Sequence, residues 1–417
     1  MLARVIASLA AGVFLASVPP AVAQDLFPDG PGKDILATKC RNCHMPDRVT
    51  KVAGRPAASW QTLVNTMINR GAPVTEDELP ILVEYLAKNW SVDKATPPLM
   101  TFAPVAPMAS HVGAEFTEWE IPAPASGIAA ALAVSDGSIW YTSAEGNVLG
   151  RLDPRTGDVK EHRLKTPQSG PRGLVEDRNG NIWYAASLTG QLGKLDPKTG
   201  NVTEYPVAGQ AASDPRAPAL DQKGNLWFTL QDGNMVGRFT PSTGTFVLRS
   251  SPTPKSLPSG LAVSPKGIPF YAESGTNKIA HIDPATMVIR EFSLADESAR
   301  PKRLAVDAGG MVWYTDDGRG YLGRLDPSTG AVKEWASPGG AKSMPYAITT
   351  AGSDVWFSES GGTPATLVRF EPATERFQTW NIPSGGGTVQ SISVTTDGNL
   401  ALAEGDGSRI AVVKISR

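Results

Sequence analysis

A repeat of about 43 residues constrains the fold of this chain more than any other feature. Seven short segments share one place in the repeat: GSIWYTS, GNIWYAA, GNLWFTL, GIPFYAE, GMVWYTD, SDVWFSE and GNLALAE. The intervals between their equivalent positions are 43, 44, 43, 43, 43 and 45 residues, counted from Trp140, Trp183, Trp227, Phe270, Trp313, Trp356 and Ala401. This period, with short alternating strands and Gly/Asp turns, is typical of β-propeller blades.

Each repeat is predicted to supply four strands. In the second repeat they lie near 173–177, 181–186, 190–196 and 201–206, and a DPxTG turn joins the last two. The seventh repeat ends after its third strand, but the earlier stretch EFTEWEIP resembles the fourth strands of other repeats. We therefore predict an all-β propeller of seven blades over 114–417, in which residues 115–121 supply the outer strand of the last blade. That strand would cover an otherwise open sheet edge.

The two cysteines of the chain both lie in the stretch CRNCH, as Cys40 and Cys43, and His44 follows directly. A disulfide between them is one alternative. A zinc site would need about four ligands, and there is no second cysteine pair. The spacing C-x-x-C-H instead favours one covalent haem c, with thioethers from Cys40 and Cys43 and His44 as proximal iron ligand.

The residues around this motif are predicted to be helical. The helices cover 32–39, 57–71 and 75–90, and the last is expected to begin with a Thr75 N-cap. Over roughly 30–92 the segment resembles small class I c-type cytochromes, which implies an all-α cytochrome c domain, assigned here to 24–92.

The sixth iron ligand is assigned to Met67, because the context MINRGAPVT resembles the axial methionine segment of some short cytochromes. The alternatives are Met100, Met108 and His111. Met67 also has the spacing of a residue in a helix core.

The N-terminus indicates export. Residues 1–23 have a basic start, a short apolar run and the pattern Ala21-Val22-Ala23, as signal peptides do. No later stretch is apolar enough for a membrane helix, so we expect a periplasmic or secreted protein with no integral membrane segment after cleavage. Residues 93–113 read as a proline-rich linker. The net charge of −2 gives no electrostatic reason to expect nucleic acid as a partner.

The repeats resemble the virginiamycin B lyase (streptogramin lyase) family over 115–417. That resemblance implies a seven-bladed propeller and a Mg²⁺-assisted β-elimination with a histidine at the start of an innermost strand. The equivalent positions in this sequence contain no histidine: Ala129, Arg172, Arg216, Ser259, Lys302, Tyr346 and Gln390. The acids expected at the end of the next strand are partly kept, as Glu273, Asp316, Glu359 and Glu404.

These positions should share one face of the propeller. Arg172, Arg216, Lys302, Tyr346 and Gln390 would then rim the channel near the four carboxylates. They could form a pocket for a small anion or a divalent metal, or pair with one another between blades. Three functions stay open. The first is haem electron transfer with a periplasmic cytochrome or dehydrogenase as partner, in which the propeller binds a ligand or partner or forms part of a redox enzyme, an oxidoreductase component. The others are a lyase fused to a cytochrome and a pure binding module.

Overall fold

The computed structural model describes residues 27–39, 57–68, 72–91, 112–121, 127–207 and 214–416. The chain divides into two compact units, residues 1–105 and 106–417. Within the described residues, no helix has the length and apolar character that a membrane crossing requires.

The first unit contains three described helices, α1 (Lys33–Lys39), α2 (Ala57–Ile68) and α3 (Glu78–Trp90). Their apolar faces meet in a small core that includes Leu36, Trp60, Val64, Leu82, Tyr85, Leu86 and Trp90. These helices are all that the described residues show of the predicted cytochrome c domain, so that domain remains a prediction.

The third helix begins later than predicted. Asp77, not Thr75, is the N-cap residue of α3, and it makes no side-chain capping bond. The Thr75 N–H instead donates to the Glu78 carboxylate at 2.9 Å, and Lys39 Nζ lies 2.6 Å from the same carboxylate. The Glu78 carboxylate therefore accepts from the donors near the start of α3, where the Thr75 side chain was expected to cap the helix.

The second unit is a propeller of seven four-stranded antiparallel sheets, as predicted. Blades 1 to 3 comprise β2 (Ile128–Ala133), β3 (Ile139–Ser143), β4 (Val148–Leu152), β5 (Val159–Arg163); β6 (Pro171–Glu176), β7 (Ile182–Ala186), β8 (Gln191–Leu195), β9 (Val202–Pro206); and β10 (Pro215–Leu220), β11 (Leu226–Leu230), β12 (Met235–Thr240), β13 (Thr245–Ser250). Blades 4 to 6 comprise β14 (Pro258–Val263), β15 (Pro269–Glu273), β16 (Lys278–Ile282), β17 (Ile289–Ser293); β18 (Pro301–Val306), β19 (Val312–Asp316), β20 (Tyr321–Leu325), β21 (Val332–Ala336); and β22 (Pro345–Ala351), β23 (Asp354–Glu359), β24 (Thr366–Glu371), β25 (Arg376–Asn381).

Blade 7 combines both ends of the propeller sequence. It contains β26 (Val389–Val394), β27 (Leu400–Glu404), β28 (Arg409–Ser416) and, as its outer strand, β1 (Gly113–Glu120). The β1–β28 ladder runs from Gly113 opposite Ser416 to Glu120 opposite Arg409. The predicted closure is confirmed, and the strand begins two residues before the predicted 115–121.

The repeated aromatic residues fill the spaces between blades. Trp140, Trp227, Trp313 and Trp356 are almost fully buried, and Trp183 is 2 % exposed. The glycine of the recurrent LGRL and LGKL segments has a steric role in the same core. A Cβ on Gly323 would lie 2.0 Å from Cζ of the buried Tyr314, and Gly193 faces Tyr184 in the same way. The third strand therefore needs glycine where the tyrosine ring crosses it.

Candidate functional site

A cavity of about 160 Å³ lies where the seven inner strands meet at the propeller axis. Every blade contributes to its lining, through β2, β6, β10, β14, β18, β22 and β26. The polar lining side chains are three arginines with Gln390 and Ser391, and the rest of the lining is small or apolar: Ala129, Ala130, Gly173, Ala217, Gly260, Leu261, Leu304, Ala347, Ile348 and Ile392.

Breaks in strand register place residues in this lining. In blade 2, Pro171 pairs with Ala186 and the next paired residue is Leu174, so the strand bulges at Arg172 and Gly173. The same irregularity occurs near the start of the inner strand in every blade. Such bulges redirect side chains, and here they expose two successive residues of several strands to the channel.

Arg303 is a lining residue that the sequence reasoning missed. In blade 5 the register slips between Pro301 and Arg303, and Arg303 rather than Lys302 lines the cavity. The equivalent positions in the other six blades hold small residues: Ala130, Gly173, Ala217, Gly260, Ala347 and Ser391. An arginine at a repeat position where the other six repeats have small residues was the sequence signal that could have identified Arg303.

Two of the three arginines are held by neighbouring side chains. Arg216 Nη2 lies 2.6 Å from the Asp214 carboxylate. Arg303 Nη2 donates to the Tyr346 hydroxyl at 2.9 Å, and its guanidinium lies 4.8 Å from the centre of the Tyr346 ring. Tyr346 thus orients a lining residue but does not itself line the cavity.

Arg172 is the arginine without such support. It makes no hydrogen bond or ion pair with the described residues. Burial lowers the pKa of Arg172, and the positive charges of Arg216 and Arg303 act in the same direction. The channel is therefore a place where positive charge accumulates without full compensation.

The predicted carboxylates are not part of this cavity. Glu273, Glu359 and Glu404 are buried at the ends of second strands and accept hydrogen bonds from serines that follow the outer strand of the preceding blade. The pairs are Ser251 with Glu273, Ser337 with Glu359, and Ser384 with Glu404. Each acid therefore ties one blade to the next.

Asp316 is held instead by partners in its own blade and by the residue directly before that blade. Its carboxylate accepts the Arg300 N–H at 3.1 Å and lies 2.7 Å from Arg319 Nε, while Arg319 also contacts Glu334. Lys302 lies near the cavity but pairs with Asp317 at 3.6 Å. The expected encounter between channel cations and these four acids does not occur among the described residues.

Burial has a further effect on two of the acids. It raises the pKa of Glu273. It also raises the pKa of Glu404 to about 7, with the Glu118 carboxylate acting in the same direction. Within the described residues, no three His, Cys, Asp or Glu side chains come together in a group that could hold a metal ion.

The described histidines lie away from the channel. His162, on β5, stacks on Trp140, and His281, on β16, contacts Phe270 and Phe292. Burial lowers the pKa of both. Neither is placed to remove a proton from a ligand at the inner strands.

The predicted haem residues Cys40, Cys43 and His44 lie outside the described residues, as do Met100, Met108 and His111. Met67 lies on α2 and is half-buried. Its helix neighbours Trp60, Leu63, Val64 and Ile68 belong to the helical core or pack against it, whereas Met67 does not join the core formed by the described residues.

Comparison with known proteins agrees with the propeller architecture. The chain resembles the streptogramin B lyase structure (24 % identity, TM-score 0.67, 73 % of this chain and 98 % of that chain). It also resembles virginiamycin B lyase from Staphylococcus aureus (22 % identity, TM-score 0.66, 72 % and 99 %). A third similar structure is the extracellular domain of a hybrid two component system from B. thetaiotaomicron (15 % identity, TM-score 0.56, 72 % and 42 %).

No curated protein matches the sequence. The family model described as the virginiamycin B lyase family matches residues 105–367. This match spans more than half of the chain and covers most of the propeller, so the protein belongs to the virginiamycin B lyase family.

Proposed function

We propose that this protein is an exported electron-transfer protein with one covalently bound haem c, and that its propeller binds a ligand or partner without acting as a lyase. The observation that carries the proposal is the stretch CRNCH, which holds both cysteines of the chain followed by a histidine. When bound, the haem supplies one-electron chemistry. Cys40 and Cys43 would hold it through thioethers, and His44 would ligate the iron.

The placement of Met67 supports this assignment. Its helix uses Trp60, Leu63, Val64 and Ile68 for packing and leaves Met67 half-buried outside that core. A thioether in this position could ligate iron without being withdrawn from the helical core. Helix α1 ends at Lys39, directly before Cys40, so the haem motif would follow a helix that is anchored through Leu36.

The channel supports binding over elimination. A general base must come within hydrogen-bond reach of the proton that it removes. The cavity lining contains no histidine and no carboxylate among the described residues, and its charged side chains are arginines, which stay protonated. A fused lyase would also have no use for an electron carrier.

We infer export from residues 1–23, whose basic start, apolar run and Ala21-Val22-Ala23 pattern are typical of a signal peptide. A periplasmic cytochrome or dehydrogenase is then the partner class that could exchange electrons with the haem.

A reduced-minus-oxidised absorption spectrum tests the proposal. Protein made in a host with cytochrome maturation should show the bands of haem c and keep its colour in denaturant. Cys40→Ser with Cys43→Ser should remove the colour. A folded, colourless wild-type protein from that host would contradict the proposal.

A further inference from the structure

The electrostatics of the channel define what it can bind. Arg172, Arg216 and Arg303 face one cavity, and Asp214, beside Arg216, is the acid that compensates one of them. The three guanidinium groups and this carboxylate leave two positive charges. Inside a narrow channel with low-dielectric walls, such charge attracts anions more strongly than it would on an open surface.

Two of the three arginine side chains are already oriented by neighbouring residues before any ligand binds. Asp214 fixes Arg216, and the Tyr346 hydroxyl and ring fix Arg303. Guanidinium groups present paired N–H donors that match carboxylate and phosphate oxygens. Because two of the three are already oriented, a ligand loses less side-chain entropy on binding. Arg172, which has no partner among the described residues, is free to donate to the ligand.

Small residues let the inner strands pack closely around the arginines. A Cβ on Gly173 would lie 2.6 Å from Pro218 Cδ, and a Cβ on Gly260 would lie 2.7 Å from the Arg303 Cα, so neighbouring inner strands approach closely here. The remaining cavity of about 160 Å³ is far larger than the roughly 10–15 Å³ needed for one water. A ligand of several non-hydrogen atoms fits.

We propose that this arginine-lined cavity binds a small dianion whose charges lie on oxygen atoms, as in a short dicarboxylate or inorganic phosphate. The inference deepens the proposal that the propeller binds a ligand and is independent of the haem. Gln390 adds an uncharged amide to the same lining and can donate to a third oxygen.

Calorimetric titration of the full-length protein tests the inference. Sodium succinate, sodium phosphate and sodium acetate are titrated separately at constant ionic strength set with sodium chloride. At least one dianion should bind saturably with one-to-one stoichiometry, and acetate at least about tenfold more weakly. The tighter of succinate and phosphate identifies the ligand class.

Variants localise the binding. Arg172→Gln should weaken it at least about tenfold, because a charge-assisted contact is lost. Arg172→Lys, which keeps the charge without the planar fork, should give an intermediate affinity. Arg163→Gln removes an exposed arginine from β5 and should leave the affinity unchanged. Circular dichroism verifies that each variant is folded.

The inference is overturned if neither dianion binds saturably, or if folded Arg172→Gln binds as tightly as the wild type. It is also overturned if Arg163→Gln weakens binding as much as Arg172→Gln. Repeating the titration with Cys40→Ser, Cys43→Ser separates this result from the haem assignment. Dianion binding that persists in colourless protein supports the cavity whatever the outcome for haem.

Discussion

Replacing Glu404 with glutamine should stabilise the propeller at neutral and alkaline pH. Glu404 is fully buried on β27. Ser384 donates to its Oε2 at 2.8 Å, whereas Oε1 has no hydrogen-bond partner among the described residues. Burial and the Glu118 carboxylate raise the pKa of Glu404 from 4.5 to about 7. Glu118 lies on the strand that closes the ring, so the ionised pair repels at the closure.

The sign of the effect follows from linkage. A carboxyl whose pKa is higher in the folded chain than in the unfolded chain destabilises the fold when it is ionised. For Glu404 the penalty is complete above about pH 7, decreases as the pH falls, and is absent below its unfolded pKa of 4.5. One pKa unit corresponds to about 1.4 kcal/mol. The full penalty at about pH 8 is therefore about 3 kcal/mol.

Urea unfolding of the wild type and Glu404→Gln at about pH 8 and about pH 4.5 measures this difference. The glutamine can still accept from Ser384 and carries no charge. We expect the variant to be more stable by about 3 kcal/mol at the higher pH, with the advantage lost at the lower pH. Glu115→Gln, which removes an exposed carboxyl from the same closing strand, is the control. Equal stability of the wild type and Glu404→Gln at about pH 8, or an advantage that does not vary with pH, would refute the reasoning.

Three further predictions concern packing, haem ligation and catalysis. Gly323→Ala should lower the free energy of unfolding by about 3 kcal/mol, because its Cβ would overlap the buried Tyr314 ring; thermal unfolding against Gly318→Ala checks this. Met67→Ala should abolish the near-infrared band of sulfur–ferric ligation and lower the reduction potential, whereas Met100→Ala and Met108→Ala should not; a band that persists would make Met67 a structural residue. Incubation with a streptogramin B antibiotic and Mg²⁺ should yield no ring-opened product by mass spectrometry, since the described residues that line the channel include no histidine and no carboxylate; Mg²⁺-dependent turnover would restore the lyase hypothesis.

The propeller was predictable because its signal is repetitive. Six of the seven repeats have an aromatic residue at one position, the seventh has Ala401 there, and the spacing is nearly constant throughout. The closing strand was also predictable, because residues on β1 resemble the outer strands that they replace. These features depend on local pattern and on chain order alone.

The site was only partly predictable. Arg172, Arg216 and Gln390 line the cavity as expected, but the bulge in blade 5 turns Arg303 rather than Lys302 inward. A bulge shifts which of two adjacent side chains faces the channel, and periodicity does not report it. The hydrogen bonds of the buried acids were not predicted for another reason. Their serine partners lie about 20 residues earlier in the sequence, directly or shortly after the outer strand of the preceding blade. A serine shortly after several outer strands was the available signal.

The mass of the intact protein after denaturation tests the central claim most directly. Thioether bonds survive unfolding, so protein matured in a competent host should carry the added mass of one haem, and the Cys40→Ser, Cys43→Ser variant should not. A wild-type mass equal to that of the processed polypeptide alone, with both cysteines free or joined in a disulfide, would contradict the assignment of this chain as a haem c protein.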